Sequence, residues 1–116
     1  MLEQYGKVWG NTSPIFNKNN VEIHRIDGVE GGFCSKHRHI NKFNAFYVVS
    51  GIMQLSVWKD YGLEDITILN DGKFTIVRPG QWHQFKILKN CLAFEIYWTE
   101  LNQDDIERES VGGKRT

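Results

Sequence analysis

Short extended segments, broken every few residues by Gly, Asn or Asp, recur along most of this 116-residue chain, and a helical period is nearly absent. The segments 5–9, 21–27, 33–39, 44–50, 53–59, 63–69, 74–77, 81–88 and 91–98 read as strands. Turn residues cluster at 11–13, 17–20, 28–32 and 60–62, and Asn70-Asp71-Gly72 reads as a tight turn. About nine or ten short strands in so small a chain predict an all-β antiparallel barrel or sandwich, a fold that can hold a ligand between its sheets. No repeat, linker or low-complexity block divides the chain, so one domain is expected over residues 1–116. The polar stretch 102–108 reads as one or two helical turns, and 109–116 as a frayed tail.

The balance of charges narrows the function. Lys and Arg number 14, as do Asp and Glu, and the formal net charge is zero. No basic excess argues for nucleic acid, and no polybasic patch argues for a membrane surface. Cys34 and Cys91 are too few for a disulfide scaffold and are expected as free thiols. The first ten residues lack the apolar core of a secretion signal, and no run approaches a membrane span. A cytoplasmic setting is the expectation.

Histidine spacing carries the chemistry. His37 and His39 stand two residues apart in segment 33–39, and a two-residue step in a strand returns a side chain to the same face. His83 follows the Pro79-Gly80 turn in a separate segment. Three imidazoles from two strands form a plausible cage for a divalent ion, with Zn, Mn, Fe or Ni all suited to neutral imidazole. His24 is expected as a strand-surface or pocket-wall residue rather than a ligand.

These residues resemble a family pattern. Gly31, His37, His39, Asn44 and Gly51, spaced by five, one, four and six residues, are similar to the first cupin motif with one substitution. Gly72 followed by Pro79-Gly80-Gln81-Trp82-His83 resembles the second. The resemblance spans nearly the whole chain and implies a double-stranded β-helix, a small jelly-roll barrel around a metal-centred pocket. Closer still is a resemblance to the cupin domain of type II mannose-6-phosphate isomerases, carried by Val8-Trp9-Gly10, Phe94-Glu95-Ile96 and Asp104-Asp105-Ile106-Glu107-Arg108. It implies that Asn44 stands where the family has a metal-binding Glu, so the expected metal set is His37, His39, Asn44 and His83. Arg78 and Gln84 likewise stand where that family has Pro and Arg.

An aldose–ketose isomerase needs a base near carbon and a Lewis acid on the substrate oxygens. Glu95 is the one acid inside a predicted core strand and shares a face with Cys91, Ala93 and Tyr97, so it is the candidate base. Lys42, in the loop between histidines, and Arg108 are the expected contacts for an anionic substrate group. Gln81 shares the face of His83 and is expected to hydrogen-bond a hydroxyl. Lys36 and Arg38 alternate with the histidines and should point away. The reading is a metal-dependent sugar or sugar-phosphate isomerase or epimerase, with a small-molecule partner and a homodimer built on aromatic strands. The alternatives are a three-histidine iron dioxygenase and a non-catalytic carbohydrate-binding cupin.

Overall fold

The computed structural model describes residues 5–7, 9–99, 107, 109, 110, 112 and 114. It is all-β: β1 Tyr5–Lys7, β2 Gly10–Lys18, β3 Val21–Gly28, β4 Phe43–Trp58, β5 Glu64–Leu69, β6 Phe74–Val77 and β7 Trp82–Trp98, with a 3-10 turn at Asp60–Gly62. No helix among the described residues is long and apolar enough to cross a membrane.

β4 and β7 are the frame. They pair antiparallel from Phe43–Trp98 to Trp58–Trp82, with register shifts around Ser50 and Ile52. At Gly51 the backbone takes a φ of 90°, which an L side chain resists, and an added Cβ would run into the backbone of Asn90 and Cys91. Both long strands change partners at this bend. Their outer halves, Phe43 to Ser50 and Cys91 to Trp98, pair with β6 and β3, and β3 continues to β2 and β1. Beyond the bend, β4 pairs with β5, and β7 makes bridges at Phe33–Lys86 and His37–His83. The result is two sheets joined through one bent ribbon, which is the jelly-roll arrangement.

The sheets close over an apolar core. Phe46, Val48 and Ala93 point inward from the first sheet, and Met53, Leu55 and Ile87 from the second; all are fully buried or within a percent of it. Each large apolar side chain so buried contributes on the order of 2 kcal/mol. The inward set alternates with outward residues on either side of the bend, as period-two patterning requires.

Several local expectations are revised. Segments 44–50 and 53–59 are one strand, as are 81–88 and 91–98. Residues 11–13 lie in β2 rather than a turn, because Asn11, Thr12 and Ser13 pair with Asp27, Ile26 and Arg25. A bulge between Pro14 and Phe16 accommodates the proline, which has no N–H to give a ladder. Segment 33–39 is not a regular strand among the described residues: its backbone pairs with β7 at two isolated bridges, and Cys34 adds side-chain contacts to Gln84 and Phe85. The expected helical turns at 102–108 lie almost wholly outside the described residues.

Candidate metal centre

The backbones of His37 and His83 exchange both hydrogen bonds, at 3.0 and 2.8 Å. Directly opposed residues of an antiparallel pair present their side chains to the same face, and the two ring centroids stand 4.5 Å apart. His39 follows two residues later, and its carbonyl accepts the Gly80 N–H at 2.7 Å. Pro79 and Gly80, the latter at φ 83°, form the turn that carries this tie, which suits a type II geometry. The His39 ring lies 5.1 Å from that of His37 and 5.5 Å from that of His83. One nitrogen from each of the three lies within 4.8 Å of the others.

The protonation state is set from behind. His37 Nδ1 donates to the Ser35 carbonyl at 2.8 Å, and His83 Nδ1 to the Gln81 carbonyl at 3.0 Å. A carbonyl only accepts, so the proton sits on Nδ1 and each Nε2 keeps its lone pair. His39 Nε2 is buried with no hydrogen-bond partner. Burial holds the His83 imidazole down to about 4, against the weaker upward pull of the Gln81 carbonyl, and burial lowers His39 as well. Converging neutral imidazoles with an orphaned buried nitrogen fit a divalent ion.

Asn44 is fully buried. Its NH2 donates to Glu95 Oε2 at 3.2 Å and lies 3.4 Å from His83 Nε2, while its Oδ1 is buried without a partner. The atom that could ligate a metal is thus the one left unpaired, and ligation through it requires the amide to turn over. Glu95 lies on the inner face, opposite His24 of β3 and Phe46 of β4. Burial raises its carboxyl above the usual carboxylate range, opposed by the Asn44 NH2 and the neighbouring Tyr97 hydroxyl. The Tyr97 hydroxyl is itself pushed upward by burial.

Glu95, Tyr97, His24 and Thr12, side by side on the first sheet, line a cavity of about 370 Å3 together with His37 and Trp9. His24 is a wall of this cavity, and its Nε2 lies 3.3 Å from Glu22 Oε2. A larger cleft of about 550 Å3 lies around the β4–β7 bend at Gly51 and Asn90, away from the histidines. The 370 Å3 cavity is the one that joins the histidine group, through His37, to the Glu95 carboxyl.

The remaining candidates spread out. Lys42 sits with its Nζ 5.1 Å from the Tyr97 ring centroid and lines a separate cavity of about 140 Å3. The Gln81 side-chain oxygen accepts the Arg78 N–H at 2.9 Å, while its backbone carbonyl orients His83. Arg108 lies outside the described residues. Lys36 and Arg38 turn away from the metal group, over Trp58 at 4.0 Å and Trp82 at 4.8 Å. Thr12 and Trp9 were not legible as cavity residues, since their segment carries no chemical pattern. Tyr97 shares Glu95's face by its two-residue spacing.

Fold and site together define a cupin barrel with a three-histidine group suited to a metal ion. Among solved structures, oxalate decarboxylase of Bacillus subtilis, a protein with Mn(II) centres, superposes with a TM-score of 0.76 over 84% of this chain at 12% identity. KdgF from Halomonas sp. superposes with a TM-score of 0.73 over 85% of this chain and 89% of its own, also at 12% identity. A formate complex of Lactobacillus farciminis oxalate decarboxylase gives a TM-score of 0.75 at 14% identity, over 90% of this chain and 32% of its own. The chain spans only 27% of the B. subtilis decarboxylase. At these identities the likeness establishes the fold. No family model matches the sequence, and no curated protein matches it.

Proposed function

We propose that this protein is a metal-dependent isomerase or epimerase acting on a small sugar or sugar phosphate, as the resemblance to type II mannose-6-phosphate isomerases implies. The observation that carries the reading is Glu95: a lone carboxyl on the cavity wall, hydrogen-bonded through Asn44 toward His83, with its proton affinity raised by burial. A divalent ion held by His37, His39 and His83 would polarise the substrate's carbonyl and hydroxyl oxygens; Asn44 is a fourth donor only with its amide turned over, which gives up its hydrogen bond to Glu95. Glu95 takes a proton from the carbon beside the carbonyl and returns it to the neighbouring carbon. A carboxyl whose proton affinity burial raises can both take and return that proton. The Asn44 NH2 fixes the Glu95 carboxyl in place. His24, directly opposite Glu95 and held by Glu22, carries the hydroxyl proton between the two oxygens.

Lys42 is the expected contact for an anionic end group, with Gln81 and Arg108 as further substrate contacts. The two buried free thiols fit a reducing, cytoplasmic setting. The test is to incubate the metal-loaded protein with a panel of aldoses, ketoses and their phosphates in D2O and follow deuterium at C2 by NMR. Deuterium incorporation with interconversion is the expected result; no exchange into any member of the panel overturns the reading.

A second reading draws support from the donor set itself, which has three neutral imidazoles and no carboxylate. Such a site suits a three-histidine iron dioxygenase, and substrate-dependent oxygen consumption by the iron-loaded protein would favour it. A non-catalytic carbohydrate-binding role would show instead as sugar binding unchanged by a chelator.

A further inference from the structure

We propose that Cys34 and Gln84 are positioning residues of the metal centre: together they clasp a one-residue bulge that turns His37 and His39, rather than Lys36 and Arg38, toward His83. The two bridges define the bulge. Phe33 lies opposite Lys86 and His37 opposite His83, so the histidine arm advances four residues where β7 advances three. An extra residue on one strand of an antiparallel pair re-aims every side chain beyond it. Strict alternation would put Phe33 and His37 on one face. Instead Phe33 points outward beside Lys86 and is 61% exposed, while His37 faces the fully buried His83.

A slip of that one residue inverts the site. A ladder continued without the bulge from Phe33–Lys86 would set Cys34 against Phe85, Ser35 against Gln84 and Lys36 against His83. Lys36 and Arg38 would then enter the cavity, and His37 and His39 would leave it. In the structure the two cations lie over Trp58 and Trp82, which are themselves directly opposed in the β4–β7 ladder. Converging imidazoles and inward cations are therefore alternatives separated by one step of register.

Side chains hold the bulge where the ladder does not. The Cys34 N–H donates to the Phe85 carbonyl at 3.1 Å. A regular pair would return the bond from the Phe85 N–H to the Cys34 carbonyl. Here the Phe85 N–H donates to Cys34 Sγ at 3.2 Å, and the Cys34 carbonyl accepts Gln84 Nε2 at 2.7 Å. Both backbone groups that the bulge parts are thus satisfied by a side chain, and leaving either without a partner is costly when it is buried. Cys34 also reaches forward along the arm. Its S–H donates to the Ser35 carbonyl at 3.3 Å, and that same carbonyl accepts His37 Nδ1 at 2.8 Å. The sulfur stands one bond behind the group that sets the His37 tautomer. The proposal rests on the metal-binding part of the reading above and not on its isomerase part.

The test reads register and metal separately on the full chain. In chelated, isotope-labelled protein, the nuclear Overhauser contact between the His37 and His83 amide protons reports the bridge, because a pair that exchanges both backbone bonds brings its amides close. The wild type is expected to show it. Gln84→Glu keeps the shape of the side chain but turns its donor into an acceptor, and Cys34→Ala removes the sulfur. Both are expected to lose the contact while the β4–β7 contacts and the far-ultraviolet spectrum persist. Cys34→Ser returns an acceptor to the Phe85 N–H and a donor to the Ser35 carbonyl, and is expected to recover it. In Co(II) titrations followed by visible absorption, Gln84→Glu and Cys34→Ala are expected to bind about tenfold to a hundredfold more weakly with altered ligand-field bands, and Cys34→Ser close to the wild type. A His37–His83 contact that survives in both Gln84→Glu and Cys34→Ala overturns the proposal, and so does a Cys34→Ser protein that behaves like Cys34→Ala. A wild type that takes up no Co(II) overturns the metal reading instead, and the amide contact then decides the register alone.

Discussion

Asn44→Asp changes one atom type at a fully buried position and should make stability depend on pH and metal together. The Asn44 NH2 now donates to Glu95 Oε2 at 3.2 Å; the substitution puts a second carboxyl oxygen there. Two carboxylates in contact cannot both ionise, so one keeps its proton in the folded protein. In the unfolded chain both ionise with ordinary values near 4. Above that pH the folded variant holds one proton more than the unfolded one, and stability falls as pH rises, by up to about 1.4 kcal/mol per unit. Between pH 4 and pH 7 the loss reaches about 4 kcal/mol as an upper limit, a large share of a typical 5–15 kcal/mol domain stability. The wild type has a slope of the same sign, because burial raises Glu95 against the opposing pull of Asn44 and Tyr97; the second carboxylate of the variant raises the pair further and carries the slope to higher pH. Urea unfolding at pH 5 and pH 7, with chelator and with saturating Zn or Mn, measures all of this. A divalent ion offsets the second negative charge, so added metal should stabilise the variant more than the wild type. The reasoning is refuted if the chelated variant shows the wild-type pH slope, or if metal stabilises the two proteins equally.

Three further outcomes follow from the same structure. His39→Gln removes the nitrogen left without a partner and should weaken metal binding by at least tenfold in calorimetry while leaving the chelated protein's melting temperature nearly unchanged. Burial pushes the Cys34 and Cys91 thiols up to about 11. At pH 8 only about one molecule in a thousand then carries a thiolate at either site, so Ellman's reagent should react slowly with the native protein and fast with both thiols in guanidinium; fast native labelling would sink this. Gly51→Ala adds a Cβ at φ 90° against the Asn90 backbone and should cost about 2–4 kcal/mol in urea unfolding.

Much of the metal centre was legible because it depends on local spacing. The two-residue step from His37 to His39 and the position of His83 after Pro79-Gly80 are visible in the chain itself, and the structure brings all three imidazoles together. Alternation groups Glu95 with Cys91, Ala93 and Tyr97, and the structure turns that face inward. What stayed hidden was non-local. Gly51 reads as a turn because glycine punctuates strands, whereas the ladder continues on both sides of it. Asn11 and Pro14 read as breakers, but pairing with β3 overrides the local preference. The Gln81 contribution passes through its backbone carbonyl, which no side-chain reading can anticipate. The Asn44–Glu95 hydrogen bond joins residues 51 apart in the chain, and no pattern within one strand contains it.

That contact explains why the fold reads so clearly while the reaction does not. The histidines are fixed by backbone: a bridge between His37 and His83, a carbonyl behind each of those two rings, and a turn tied to His39. Such supports survive a change of side chain at position 44, so the donor geometry does not require a carboxylate there. The proposed acid–base groups come from the other sheet. Glu95, Tyr97 and His24 descend from β7 and β3, and they meet the histidines only because the bent β4–β7 ribbon folds one sheet over the other. Asn44 sits at that junction, on the first sheet but against His83 of the second. A neutral amide there orients Glu95 without competing with it for protons, and an acid would do the opposite. The residue at position 44 therefore decides whether Glu95 works as a separate acid–base group or is drawn into a coupled pair.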